Sequence, residues 1–417
     1  MTSAWKTNFR LLWVGHFLSV LSSMVIAPML PFYVEQLGED DPSSVLMWSG
    51  LCLVAPAVSA AMTAPLWGRL GDLSSRKWMV VRALLATVCV LAAMAWAATP
   101  LQLLVLRFLQ GALGGVVDAV GAFAASEARP EEQGRVRGQL EGALAAGSML
   151  GPLLGGLFLG TVGFRSLFLL LGGVLLLWTL LCCLKLKESR RERPAAAKPA
   201  GGKGARLWTS LLGDKRVILY LSAGIVANFA IYGLLPVQPL HVKQYVGDPS
   251  QTALWVGMLQ AVNWASVWLS SGWWGRRNDA SPVNRNFMIA AALCGAAVYM
   301  QAFAPGGVWL FPFRALQGFA SSALLQSVFV IVTRASPGGQ LGMRLGWTRS
   351  ILFTGQIAGP MASGWLGAEL GSSAILALYG TMIAAGGLLV GLFAGAQASA
   401  SSNGAHAGSG VSNIERT

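Results

Sequence analysis

Two short stretches decide the fold: Trp67-Gly68-Arg69-Leu70-Gly71-Asp72 and Trp274-Gly275-Arg276-Arg277-Asn278-Asp279 share Trp-Gly-Arg and the closing Asp at an offset of 207 residues. Working outward from them, three more pairs keep the same spacing. Pro28 and Pro31 recur as Pro236 and Pro239 at 208, Arg107-x-x-Gln110-Gly111 recurs as Arg314-x-x-Gln317-Gly318 at 207, and Gly151-Pro152 recurs as Gly359-Pro360 at 208. A near-constant offset across half a chain is the mark of a parallel internal duplication.

The residues between these anchors say what was duplicated. Of 417 residues, 54% are hydrophobic and 11% charged, against roughly 25% charge in a soluble domain. Apolar runs recur at 11–36, 45–67, 78–98, 101–125, 138–160, 165–185, 216–241, 252–274, 286–305, 308–332, 343–367 and 372–395. Each is long enough to cross a hydrocarbon core of about 30 Å as a helix. The pattern predicts an all-α membrane protein with twelve transmembrane helices in two pseudo-symmetric six-helix bundles. Residues 1–185 form the first bundle and 216–395 the second. The Ala-, Pro-, Gly- and Arg-rich stretch 186–215 is a cytoplasmic linker, and 396–417 a disordered cytoplasmic tail. Within the linker, Leu207, Trp208, Leu211 and Leu212 share one helical face, as in a helix lying on a membrane surface. Lys6 and Arg10 precede the first run as in a signal peptide, but that run continues without a cleavage site and is expected to be retained.

A net charge of +13 invites a nucleic-acid partner, and its distribution argues against one. With the N-terminus inside, 26 of the 30 basic residues fall on the cytoplasmic side, the exceptions being Arg107, Arg165, Lys243 and Arg314. That is the positive-inside pattern, with anionic lipid as the surface partner. The five cysteines lie inside apolar runs without metal spacing, so no metal site is expected. GGKGA at 201–205 lacks the Ser or Thr of a phosphate-binding loop, which argues against ATP hydrolysis.

Gly68, Leu70, Asp72, Arg76 and Lys77 match the loop signature G-x-L-x-D-R-x-G-R-R, with Leu73 and Ser75 departing from it. Gly147, Gly151, Pro152, Gly155 and Gly156 match G-x-x-x-G-P-x-x-G-G in the fifth span. These elements, with R-x-x-Q-G at Arg107, resemble the major facilitator superfamily, and the fifth-span element resembles its twelve-span drug:proton antiporters. PFYVEQLG at 31–38 and MWSG at 47–50 are similar to the multidrug-resistance members. The resemblance implies a bacterial inner-membrane transporter without cofactor, driven by the proton gradient and exporting small molecules. It also implies gating roles for Gly68, Asp72, Arg76, Lys77, Gly275 and Asp279, and a proton-coupling role for Arg107. The matched prolines and glycines could equally serve helix packing alone.

An ionised side chain in mid-bilayer costs at least about 2.5–3.5 kcal/mol, so each is a functional candidate. Asp118, in GGVVDAVGA of the fourth span, is the leading one for proton coupling, and the alternative is an ion pair to a neighbouring helix. On a continuous helix Arg107 would share its face about 16 Å away. Arg314 has Leu325 at the corresponding place, so the halves have diverged. His16 could relay protons or make an interhelical hydrogen bond. Met24, Gln110, Asn228, Phe229, Tyr232, Arg314, Gln317 and Gln326 lie on spans that line the cavity in the resembled family, and together would make an apolar chamber with a few directional groups.

One charge crossing 100 mV yields about 2.3 kcal/mol, enough for roughly a 50-fold gradient. The expectation is a monomeric proton-coupled exporter of amphiphilic drugs. The alternatives are an exporter of one endogenous metabolite such as a siderophore, or a nutrient importer. With one acid plainly mid-membrane, an enzyme site is not expected.

Overall fold

The computed structural model describes residues 3–128, 133–188, 214–335, 341–367 and 369–411. Among them there is no strand, and helix occupies most of every apolar run named above. The first half comprises α1 (Ser3–Ile26), α2 (Leu30–Gln36), α3 (Pro42–Leu73), α4 (Arg76–Met94), α5 (Pro100–Leu113), α6 (Val116–Glu127) and α7 (Gln133–Lys185). The second comprises α8 (Lys215–Lys243), α9 (Pro249–Ala280), α10 (Val283–Ala302), α11 (Leu310–Arg334), α12 (Leu341–Leu366) and α13 (Ser372–Val411). Nine helical stretches among the described residues are long and apolar enough to cross a membrane. Large apolar side chains stay exposed on the periphery, Leu177 at 66%, Leu269 at 72% and Leu392 at 70%. In water such a surface would aggregate, so its solvent is lipid.

Short polar side chains start the helices. Asp41 accepts the Ser44 N–H ahead of Pro42, Ser75 that of Trp78, Thr99 that of Gln102 ahead of Pro100, and Asp214 that of Arg216. The Ser43 hydroxyl and the Ser44 N–H hold the Asp41 carboxyl below its usual range.

Three features depart from the expected spans. The fourth is broken into α5 and α6, because Gly114 and Gly115 intervene and Gly115 adopts φ +79°, a conformation that glycine takes without steric cost. At the matching positions of α11 stand Ser321 and Ser322, and that helix is unbroken. The fifth and sixth spans form one helix, α7, that turns at Gly163, φ +73°. Finally α13 runs on to Val411, through residues for which composition predicts an irregular tail. The surface face expected at Leu207, Trp208, Leu211 and Leu212 lies outside the described residues.

The duplication is visible in individual hydrogen bonds. Trp67 donates its indole N–H to the Ala112 carbonyl at 2.6 Å, and Trp274, 207 residues later, donates to Phe319 at 2.8 Å. Packing between the halves repeats in the same way. Gly50 of α3 lies under the Pro360 carbonyl of α12, where an added Cβ would sit 2.4 Å from the oxygen. Its counterpart Gly257 of α9 lies under the Pro152 carbonyl of α7, at 2.3 Å. Gly156 against Ala253 and Gly364 against Leu46 and Met47 complete the pattern. All these contacts lie toward the end of the molecule bearing the 37–41 and 244–248 turns, opposite the linker. At that end Lys243 forms an ion pair with Glu35 at 2.9 Å, and the two are repeat mates 208 residues apart.

Candidate functional site

In the second half a cavity of about 200 Å³ opens between α8, α9 and α11. Five of the expected cavity residues line it: Asn228, Tyr232, Arg314, Gln317 and Gln326. The others lie elsewhere. Met24 packs against Gly151, Gln110 accepts a hydrogen bond from Arg107, and Phe229 stacks edge-on against Tyr379 at 5.5 Å. Phe229 and Met24 are also where α8 and α1 receive the glycines of α12 and α7.

Arg314 is the centre of the cavity's chemistry. It is 2% exposed, and its guanidinium donates to the side-chain oxygens of Gln317 at 2.7 Å, Gln238 and Gln260. Gln301 in turn donates to Gln317 at 2.9 Å. All of these partners are neutral carboxamides. Asn228 donates to the Leu352 carbonyl at 3.1 Å and Gln326 to that of Ser271 at 3.2 Å, which fixes both side chains on the wall. Gln238, Gln260 and Asn263 were not singled out above. The repeat could have found them, because they replace Leu30, Leu53 and Pro56 of the first half.

The first half arranges its charges differently. Arg107, 4% exposed, donates to the Cys52 carbonyl at 2.9 Å and to Gln110 at 2.6 Å. Asp118 lies beyond the helix break, in the first turn of α6, so the continuous helix that would set it on one face with Arg107 does not exist. It lines a separate cavity of about 410 Å³ with Thr63, Trp67, Arg76 and Arg82. Arg82 caps the broken end of α5, donating to the carbonyls of Leu113 at 2.5 Å and Gly114 at 3.1 Å while stacking 3.5 Å over Trp67. A cation on the last carbonyls of a helix complements its dipole. The Gly-Gly pair was the available signal for this break. His16 is 3% exposed, and neither ring nitrogen has a hydrogen-bond partner, so the expected interhelical bond is not made.

In the loop signature, Arg76 donates to the Ala122 carbonyl at 2.6 Å. The backbone N–H groups of Arg76 and Lys77 donate to Glu188, 3.1 and 3.4 Å away, so the start of the linker supplies a carboxylate to the α4 N-terminus. Gly68 and Asp72 are helical, and their side chains lie outside the described residues. Gly275 has open space around it and Asp279 is exposed. Asn286 stitches the second copy of the loop by donating to Arg277 and Asn278. Glycines 147, 151 and 155 bring α7 against Val20, Met24 and Val25 of α1, and Gly156 and Pro152 meet α9. Among the described residues no cluster of His, Cys, Asp or Glu could hold a metal ion.

Two repeat-related helical halves, lipid-facing outside and joined at one end around polar cavities, define a membrane transporter rather than an enzyme. The chain belongs to the Major Facilitator Superfamily, whose family model matches residues 12–278 and 223–414. It is 36% identical to the staphyloferrin B transporter of Staphylococcus aureus over 365 residues, 86% of each chain. It is 29% identical to the multidrug resistance protein MdtG of Salmonella typhimurium, over 89% of this chain and 91% of that one. Its fold is similar to that of a bacterial homologue of the human lysosomal transporter Spinster, with a TM-score of 0.73 at 15% identity, covering 94% of this chain and 95% of that chain.

Proposed function

We propose that the chain is a proton-coupled antiporter of the bacterial inner membrane, with both termini cytoplasmic, that exports small molecules by alternating access. The observation that carries the reading is the polar cavity around Arg314, set in a molecule whose halves pack together at the end opposite the linker. With the linker inside, that end is the outer one. A binding chamber closed on one side fits a carrier that opens its two faces in turn. The multidrug relatives favour amphiphilic drugs as cargo, and the 36%-identical staphyloferrin B transporter favours one endogenous metabolite such as a siderophore.

In this scheme Asp118 takes up a proton outside and releases it inside. The Gly114–Gly115 break sets Asp118 in the first turn of α6, on the lining of the cavity of about 410 Å³. Arg107 and His16 are the buried groups of the same half through which the proton would pass. The protein acts as a monomer and needs no cofactor. The test is uptake into everted vesicles carrying a proton gradient, with a panel of drugs and siderophores. Asp118→Asn should abolish uphill uptake while leaving downhill exchange. Wild-type uphill rates in that variant would remove Asp118 from the coupling step, and a response only to nutrients in right-side-out vesicles would reverse the direction.

A further inference from the structure

The cavity around Arg314 carries a charge that the protein does not balance. The only acids between Arg216 and Phe393 are Asp248, Asp279 and Glu369, all exposed at helix ends. The three glutamine oxygens solvate the guanidinium but add no negative charge. Three buried polar atoms on this one wall lack any hydrogen-bond partner: Nε of Arg314, Oδ1 of Asn263 and Oε1 of Gln326. A buried polar group without a partner is unfavourable, and three of them gather around this one space.

Packing does not explain these side chains. In the first half the same backbone positions hold Val20 for Asn228, Met24 for Tyr232, Leu30 for Gln238, Leu53 for Gln260, Pro56 for Asn263 and Ala119 for Gln326. The fold accepts apolar residues at all six. The repeat mate Arg107 also differs, since it is held by the backbone carbonyl of Cys52 and a single glutamine. The second half has therefore acquired a polar lining specific to itself.

We propose that this cavity binds a carboxylate-bearing ligand that also carries hydroxyl or amide donors, with Arg314 as its counter-ion. The carboxylate accepts from an N–H group that Arg314 leaves unused, Nε–H first among them, and the ligand's donors satisfy Asn263 and Gln326. At about 200 Å³ the space takes a small acid or one end of a larger one. The inference rests on the transporter reading above and selects, among its cargoes, an anionic polar metabolite over a cationic drug.

The test is calorimetric titration of the full chain in neutral phosphatidylcholine nanodiscs, with citrate, its trimethyl ester, inorganic phosphate and tetraphenylphosphonium as probes. Citrate is expected to bind saturably and the ester and the cation not to. Arg314→Gln should weaken citrate by about tenfold or more, and Arg314→Lys by less. Asn263→Asp, which fixes a carboxylate in the same cavity, should weaken it comparably and serves if Arg314→Gln does not fold. Equal binding of citrate and ester, affinity within about twofold of wild type in both Arg314→Gln and Asn263→Asp, or binding of phosphate but not citrate would overturn the proposal. Proton-driven transport in proteoliposomes separates the two failures. Transport of tetraphenylphosphonium without citrate binding would refute the ligand class and leave the transporter standing. Citrate binding without transport of any probe would do the reverse.

Discussion

Adding one methyl group at Gly50 or Gly257 should push the molecule toward the conformation open at the end opposite the linker. In the present conformation a Cβ at Gly50 would stand 2.4 Å from the Pro360 oxygen, and one at Gly257 2.3 Å from that of Pro152. A carbon and an oxygen need about 3.2 Å, so each helix pair must separate by nearly 1 Å or strain its backbone. Overpacking of this kind costs about 1–3 kcal/mol per site. The two sites lie on different helix pairs, α3 with α12 and α7 with α9, so the costs should add to about 2–6 kcal/mol. In the alternating-access scheme proposed above, the other conformation separates these surfaces and escapes the cost. At 1.4 kcal/mol per decade, a lower-bound shift of about 2 kcal/mol changes the ratio of the two states some 30-fold. Spin labels at Asp40→Cys and Gly247→Cys, in a Cys89→Ser background, would report the distance across that end by pulsed electron resonance. The Gly50→Ala/Gly257→Ala double variant should move the distribution to longer distances, with each single variant between. Gly272→Ala, on the same α9 but with nothing within 4 Å of its Cβ, should leave it unchanged. An unchanged distance in a folded double variant, or an equal shift in Gly272→Ala, would refute the reasoning.

The remaining predictions concern charges and the helix break. Lys243→Glu should destabilise the closed end opposite the linker by no more than about 1 kcal/mol, since the Glu35 pair is partly exposed, and the Glu35→Lys/Lys243→Glu swap should restore the wild-type distance at low salt. Arg82→Gln strips the cation from the Leu113 and Gly114 carbonyls and should lower thermal stability by about 1–3 kcal/mol, read as a shifted unfolding midpoint in detergent. Gly115→Ala forces a side chain into φ +79° and should destabilise by about 1 kcal/mol or more, whereas Ser321→Gly, at the place matching Gly114 in the unbroken α11 and hydrogen-bonded to the Gly318 carbonyl of its own helix, should cost helix propensity, about 0.5 kcal/mol. Asp41 caps α3 as a carboxylate held below its usual range, so its contribution is full above that range and is lost as pH falls through it. Asp41→Asn should flatten the acid limb of the stability profile.

The sequence made the architecture legible because a membrane leaves few options. Apolar runs of fixed length must be helices, and the repeat at 207–208 residues sets the number of halves. The cavity was legible only in part. Asn228, Tyr232, Arg314, Gln317 and Gln326 follow from the spans that line the cavity in the resembled family, but Gln238 lies three helices and Gln260 two helices before Arg314 in the chain, and only folding brings three glutamines onto one guanidinium. Asp118 shows the opposite failure. Its distance and direction from Arg107 assume a straight helix, and a single left-handed glycine removes that assumption. Gly114–Gly115 was present in the sequence, yet glycine pairs also mark ordinary helix crossings in membranes, so the residue types alone could not tell a break from a contact.

The break and the glutamine cluster together explain how one duplicated unit can come to do two jobs. In the first half the fourth span is interrupted and the residues beyond it, with Asp118, face a cavity shared with Arg76 and Arg82. In the second half the same span is continuous because serines replace the glycines, and Ser321 and Ser322 now line the polar chamber beside Arg314. Gly111 and Gly318 still seat both spans on their neighbours, and the Trp67 and Trp274 bonds still hold the pairs at one register. Divergence reaches even the seats of these glycines, where Pro56 stands under Gly111 and Asn263 under Gly318, because both contacts are made to the backbone carbonyl. In the scheme proposed above, the proton carrier can change in one half without disturbing the ligand site in the other. Exchanging the pairs, Gly114→Ser/Gly115→Ser, should straighten the fourth span and impair coupling while leaving ligand affinity at Arg314 intact. Calorimetry and proton-driven uptake on that one variant would show the separation, and a loss of affinity equal to the loss of coupling would deny it.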